Sequence, residues 1–300
     1  MTAQTATIVA NPLARRLRHF DGVQALRRLE ERGFKARLEL PETPAGTAAA
    51  AARAAERGDT FVFVLGGDGT VRLAAGSLAG SGSVLAVLPG GTANVWAKEA
   101  GIPQNLLKAL ESHLDGQQVA IDLGRAGAEP FLLMAGIGWD AQIAAKVRPA
   151  LKRKLGVLAY VLHGLPTLHQ LRTTEMAWST EEEAAVARVG LLVVSNTRLY
   201  GGFLMFAPEA SARDGMLDAC IFMPSTLAEG LRHALKVIVR RHSGDKGVRE
   251  LRTTHLNITT PGLPVQVDGD VVGETPTTLT VERRALLISV PAGKLTPALR

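Results

Sequence analysis

Thr60–Leu65 (TFVFVL) runs without a break into Gly66-Gly67-Asp68-Gly69-Thr70, and this junction decides the fold. The first six residues are β-branched and aromatic, the composition of a strand. The glycines that follow let the backbone turn tightly and bring its N–H groups against phosphate oxygens. A carboxylate in the same loop can hold Mg²⁺ or position a transferring phosphoryl group. Thr70 adds a hydroxyl where the next helix opens. A second junction of this kind follows: Val84–Leu88 (VLAVL) leads into Pro89-Gly90-Gly91-Thr92-Ala93-Asn94 and then the helical VWAKEAG. One Gly-Gly pair is explained by a tight connection alone. Two in succession, one carrying Asp, favour a ligand at the carboxyl ends of neighbouring strands.

Working outward, Ala6–Ala10 reads as a strand ending at Asn11-Pro12 and Gly22–Arg32 as a helix. Lys35–Leu40 reads as a second strand and Gly46–Arg57 as an Ala-rich helix. Strands alternating with helices predict a parallel sheet covered on both faces. After Asp122 the texture changes. Phe131–Ala135, Thr174–Ser179, Val186–Ser195, Met216–Met223, Thr254–Thr260, Val265–Asp268, Thr277–Val281 and Ala285–Val290 are strand candidates separated by turn residues. Two helical insertions stand out, Gln142–Leu171 and Thr226–Arg241. The predicted class is α/β: a three-layer α-β-α nucleotide-binding domain over 1–122, then an antiparallel β-sandwich with helical insertions over 123–290. The tail 291–300 is free to return to the first domain.

The 300 residues carry 34 Lys+Arg against 28 Asp+Glu, a net charge of +6. That modest excess suits an anionic small substrate or an anionic membrane surface at least as well as DNA. Only 8 Phe, 3 Trp and 2 Tyr are present, which argues against a base-stacking platform, and no nucleic-acid motif is visible. The single cysteine, Cys220, excludes an intramolecular disulfide and a Cys-rich zinc site, and its apolar neighbours mark it as a core thiol. The seven histidines show no HExxH or other metal spacing. The amino terminus lacks the basic and apolar regions of a signal peptide, and Leu155–Leu168 is too short to span a bilayer. A soluble, cytoplasmic protein is expected.

No GxxxxGK[ST] sequence occurs, so the standard phosphate loop is absent. Gly136-Ile137-Gly138-Trp139-Asp140-Ala141 matches a dinucleotide-binding GxGxxA. That fingerprint needs an acidic residue about 20 positions later, and the next one after Asp140 is Glu175. An oxidoreductase is therefore the weakest reading.

GGDGT followed by PGGTAN resembles the diacylglycerol-kinase catalytic domain family, which includes bacterial soluble lipid kinases and sphingosine kinases. Further segments carry the resemblance over nearly the whole chain: Asn11-Pro12, Tyr200-Gly201-Gly202 with Ala207-Pro208, Asp214-Gly215-Met216-Leu217-Asp218, and Val267-Asp268-Gly269-Asp270 with Glu274-Thr275-Pro276. GGDGT alone also occurs in NAD kinases; the later blocks belong to the lipid-kinase side. The resemblance implies ATP contacts at Asn11, at Gly66, Gly67, Asp68, Gly69, Thr70, Val71 and Arg72, and at Thr92, with Thr43 on a looser alignment. It implies a Mg²⁺ site at Asp214, Ser211 and the carbonyl of Met216, hard oxygen donors that suit the ion. It puts Asp270 at the catalytic base position, with Glu274 as the alternative. Unaided, DGxLD reads as a type I turn into a strand.

Three departures from the family pattern bear on function. The opening NPxSG is NPLARR here, which leaves Arg15 or Arg16 to supply charge. Arg72 stands where Asn is usual, and either meets the triphosphate or lies on the solvent face of its helix. Asp270 replaces Glu and reaches one methylene less.

The implied reaction is transfer of the ATP γ-phosphoryl group to the hydroxyl of diacylglycerol or a related membrane lipid. The alternatives are a kinase of a soluble alcohol, NAD kinase included, and a nucleotide-binding regulator with little turnover. Lys146, Arg148, Lys152, Arg153 and Lys154 ahead of LGVLAYVL, and Leu227–Arg241, pair basic with apolar residues as peripheral membrane helices do. Each is equally explained by a solvated basic face beside a packed helix. An exposed sandwich edge is a route to a homodimer.

Overall fold

The computed structural model describes residues 4–138 and 173–300. The chain divides into two compact units. One comprises Met1–Leu123 with Arg283–Arg300, and the other Gly124–Glu282.

The first unit is an α/β layer built on β1 (Gln4–Ala10), α1 (Gly22–Glu31), β2 (Phe34–Glu39), α2 (Pro44–Glu56), β3 (Phe61–Gly66), α3 (Asp68–Leu78), β4 (Val84–Pro89), α4 (Val95–Glu99) and α5 (Leu106–Leu114). The strands lie parallel in the order β2-β1-β3-β4. Every residue of β3 and β4 is buried, as expected of central strands covered on both faces, whereas edge strand β2 is partly exposed along its length. Three of these helices, α1, α2 and α5, start where short side chains cap them. Asp21 accepts from the Gln24 amide, Thr43 from Gly46 and Asn105 from Lys108. The chain moves one way from β1 to β2 and back the other way to β3 and β4. Right-handed crossovers then put α1 on the face opposite α2 and α3, and α2 packs against α3.

The second unit holds two antiparallel layers. One is a six-stranded sheet in the order β12 (Val248–Thr253), β11 (Leu217–Phe222), β10 (Leu191–Ser195), β7 (Met134–Gly138), β14 (Pro264–Val267) and β15 (Asp270–Glu274). The other runs β9 (Ala184–Val189), β8 (Thr174–Ser179), β13 (His255–Ile258) and the first half of β16 (Thr277–Val290). Alternate residues of the first sheet, including Ala135, Ile137, Leu192, Val194, Ala219 and Ile221, meet Met176, Trp178, Leu256, Ile258 and Leu279 of the second. That alternation is the signature of a sandwich core.

Several sequence expectations are corrected. Val186–Ser195 is two strands, β9 and β10, broken at Gly190 and belonging to different sheets. Phe131–Ala135 divides between β6 (Glu129–Phe131) and β7. Thr277–Val281 and Ala285–Val290 are one continuous strand, β16. The charged run between them, Glu282 to Arg284, is a kink within the strand. Arg284 adopts φ 48°, and its amide donates to the buried carboxylate of Asp122 at 2.7 Å. Beyond the kink, Leu287 and Ile288 pair parallel with Val84 and Leu85 of β4. The returning segment therefore starts at Arg283, not at 291. The sequence reading missed α5, β5 (Gln117–Ala126), β12 and β15 as elements. Gly136 and Gly138 are residues of β7, which pairs antiparallel with both of its neighbours, unlike the parallel strand of a dinucleotide-binding fold; the rest of that match lies outside the described residues. The basic insertion around Lys152 lies outside the described residues.

Candidate active site

In the first unit, Asn11, the Gly66–Arg72 segment and Thr92 follow the carboxyl ends of β1, β3 and β4, three adjacent parallel strands. The strand order reverses between β1 and β3, where open α/β sheets bind ligands. Backbone and side-chain bonds tie these loops together. The Asn11 amide donates to the Leu65 carbonyl at 3.0 Å, and its side-chain Nδ2 donates to Thr70 Oγ1 at 3.0 Å. The Gly90 amide donates to the Gly66 carbonyl at 2.8 Å. Asn94, at φ 46°, accepts from the Gly91 amide through Oδ1 at 2.8 Å.

Asp68 joins the two glycine loops. Its carboxylate accepts from the Trp96 amide at the head of α4 at 3.0 Å. Burial pushes its pKa up, while the amides of Trp96, Val95 and Asp68 itself, and the Lys98 charge, pull it down. Gly91 is obligatory for the same closure. A Cβ there would lie 2.6 Å from the Gly67 Cα and 2.9 Å from Asn94 Oδ1. At Gly67 a Cβ would meet only the Gly91 Cα, at 3.5 Å.

The other expected nucleotide residues differ in placement. Thr43 is exposed and its hydroxyl is engaged as the α2 cap. Val71 is buried, and its amide closes the first turn of α3 on the Gly67 carbonyl. Arg72 is only 6% exposed, which removes the solvent-face reading. Arg16 is a backbone clamp: its amide donates to the Gly90 carbonyl and its guanidinium to the Gln104 carbonyl. Arg15 is exposed.

In the second unit, Asp270 opens β15, half-buried, and Glu274 closes it, exposed. Strand geometry separates them by roughly 13 Å, so they are not interchangeable at one point. Asp268, which sequence reading noted only as part of the motif, organises this corner. It adopts φ 49°, and its carboxylate accepts from the amides of Leu132, Leu133 and Met134 at 2.9, 2.9 and 3.0 Å. Asn196, fully buried, donates from its side chain to the Leu132 carbonyl at 2.9 Å. Its signal in the sequence was weak, a lone polar residue after an apolar strand.

Ser211, Asp214 and Met216 lie on the turn into β11. Asp214 accepts from the Met216 amide at 3.0 Å and pairs with Arg252. Asp218 stands 3.9 Å from the same guanidinium. Burial lifts Asp218 to a pKa of about 6, and Asp214, Glu250 and Glu209 add to the shift against Arg252. Its Oδ2 is buried with no hydrogen-bond partner among the described residues. Hard oxygens, an excess of carboxylates and an unsatisfied buried oxygen fit a divalent cation such as Mg²⁺.

The diacylglycerol kinase catalytic domain model matches residues 5–126, and the YegS C-terminal NAD kinase beta sandwich-like domain model matches 134–290. Over 278 residues the chain is 30% identical to the diacylglycerol kinase of Bacillus subtilis (strain 168), covering 90% of this chain and 91% of that one. The chain belongs to the diacylglycerol kinase family. The diacylglycerol kinase of Mycobacterium tuberculosis (strain H37Rv) is 31% identical over 89% of this chain and 88% of its own length. Among solved structures, a diacylglycerol kinase from Bacillus anthracis superposes with a TM-score of 0.74 at 18% identity, covering 97% of this chain and 98% of that one, which establishes the shared fold.

Proposed function

We propose that this diacylglycerol kinase family member transfers the γ-phosphoryl group of ATP to the hydroxyl of diacylglycerol or a related membrane lipid, with Mg²⁺. The observation that carries this reading is the closure of two glycine loops on each other through Asp68 and Gly91 at the switch point of the parallel sheet. Loop amides hold the phosphates, and the Asn11–Thr70 bond keeps the first loop in register with β1. Asp270 takes the proton as the lipid oxygen bonds to the γ-phosphorus and the bond to the bridging oxygen of ADP breaks. Asp268 positions Asp270 by pinning the turn before β15. Mg²⁺ held by Ser211, Asp214 and the Met216 carbonyl supplies charge neutralisation.

A lipid acceptor is favoured over a soluble alcohol by α6 (Leu227–Ile238). Gly230, His233 and Val237 face inward, whereas Leu227, Leu231, Leu235 and Ile238 are exposed along the opposite stripe. Arg232 and Lys236, both ion-paired with Asp245, flank that stripe, and an apolar stripe edged by basic residues suits a helix lying on an anionic bilayer surface. Among the described residues, no helix is long and apolar enough to cross a membrane.

The test is transfer of labelled γ-phosphate from ATP–Mg²⁺ to lipids in mixed micelles, beside NAD and other soluble alcohols. Labelled lipid lost in Asp270→Asn by about 10²-fold or more, and retained in Glu274→Gln, is the expected result. The reverse pattern moves the base to Glu274. Label on a soluble acceptor alone overturns the lipid reading, and bound ATP without product supports the regulator.

A further inference from the structure

The outer face of the six-stranded sheet carries a second group of ligand atoms. Leu217, Ala219 and Ile221 of β11 point into the sandwich core, so Asp218, Cys220 and Phe222 point away from it. Cys220 pairs in register with Glu250 of β12, and His242, just beyond α6, joins them. One ligand atom from each of the three lies within 4.8 Å of the others.

The state of His242 is what makes this more than a buried thiol. Its ring is 1% exposed, and Nε2 lies 2.8 Å from the Phe206 carbonyl. A carbonyl only accepts, so Nε2 holds the proton and Nδ1 holds the lone pair. Nδ1 is buried and has no hydrogen-bond partner among the described residues. A histidine that donates one ring nitrogen to a backbone carbonyl and keeps the other for an ion is the usual arrangement at metal sites. Cys220 is 2% exposed, while Glu250 is exposed and leaves a way in from solvent. Ser243 Oγ donates to Glu250 Oε2 at 2.7 Å and orients that carboxylate.

We propose that Cys220, His242 and Glu250 form a binding site for a thiophilic divalent cation, Zn²⁺ by the match of ligand types. Sulfur, imidazole nitrogen and one carboxylate suit zinc and are a poor set for Mg²⁺, so the site is chemically separate from the oxygen cluster at Asp214. On binding, the Cys220 thiol gives its proton to solvent and its sulfur bonds to the metal. Nδ1 of His242 donates its lone pair while Nε2 keeps its proton on Phe206. One thiolate and one carboxylate then balance the two positive charges. The ion ties β11, β12 and the segment after α6 together across the sheet face.

The experiment is titration of the full-length protein, stripped of loosely held metal, with Co²⁺ and then Zn²⁺, in the presence of excess Mg²⁺. One Co²⁺ per chain with a thiolate-to-cobalt charge-transfer absorption, release of one proton, and displacement by Zn²⁺ are expected. Cys220→Ser should abolish the absorption, and His242→Gln and Glu250→Gln should each weaken affinity by about tenfold or more. Glu250 sits on the exposed rim, so Glu250→Gln tests the site without threatening the fold. A wild-type protein with no thiolate–cobalt absorption overturns the proposal. So does binding unchanged in both His242→Gln and Glu250→Gln.

Discussion

At Gly67 and Gly91 the same substitution has opposite structural costs. Gly91→Ala forces a methyl to within 2.6 Å of backbone, an overpacking cost of about 1–3 kcal/mol. Its unfolding midpoint in urea should drop accordingly. Gly67→Ala meets only an ordinary contact at 3.5 Å and should unfold like wild type. It should still weaken ATP binding, because the added methyl crowds the loop whose amides are proposed to hold the phosphates. Equal ATP affinity in Gly67→Ala and wild type, by calorimetry, would remove that loop from the nucleotide site. The sequence made the glycine pairs conspicuous but did not separate these roles. Which glycine has room for a methyl and which has none depends on two strands coming side by side.

His113 gives the pH dependence of stability. It is buried in α5, with Nε2 2.9 Å from the Val87 carbonyl, and burial lowers its pKa to about 4. The unfolded chain protonates this histidine near its ordinary value of about 6.5, whereas the folded chain resists until much lower pH. Its contribution is therefore fully present above about pH 6.5 and is lost as pH falls towards 4, about 3 kcal/mol in all. His113→Gln keeps a donor for Val87 and should flatten the fall in urea midpoint between pH 7 and 4. A variant with the wild-type slope would show that other groups set the acid limb.

At the scale of elements, α6 is the clearest test. Its inward stripe is small or polar, Gly230 and His233 with Val237, and its outward stripe is aliphatic. Helical periodicity in the sequence revealed an amphipathic basic helix, but periodicity does not say which stripe faces the protein. Here the aliphatic stripe faces out. Leu231→Asp with Leu235→Asp should leave folding intact, since both side chains are exposed. It should lower the fraction bound to phosphatidylglycerol vesicles more than about tenfold, from loss of about 1.5 kcal/mol or more of burial per leucine. Unchanged sedimentation with vesicles would reassign the stripe to another partner.

At the scale of the whole molecule, the last 18 residues complete the first unit from the far end of the chain. Leu286, Ile288, Val290, Ala298 and Leu299 are all buried, and Thr296 Oγ1 donates to the Glu99 carbonyl at 2.6 Å. A chain ending at Glu282 leaves the edge of β4 open. It also forfeits about 1.5–3 kcal/mol for each of the four large side chains, comparable with the entire stability of a domain. It should yield no cooperative unfolding transition for the first unit. A chain ending at Thr296 loses only the Ala298–Leu299 anchor and should unfold cooperatively with about 2–4 kcal/mol less stability.

The amino-acid sequence by itself determined the alternation of strands and helices, the two glycine loops, the change to antiparallel texture after Asp122, and the motifs that resemble the kinase family. These are local signals, set by side-chain period and turn chemistry within a few residues. Tertiary structure alone decided that Asp68 caps α4, that Arg72 is buried, and that β16 passes unbroken through Arg284 into the first unit. It also decided that Asp268 pins the turn before Asp270, and that Cys220, His242 and Glu250 meet. Each of these depends on a partner far away in the chain, and burial and hydrogen bonding are properties of the packed neighbours that local spacing does not encode.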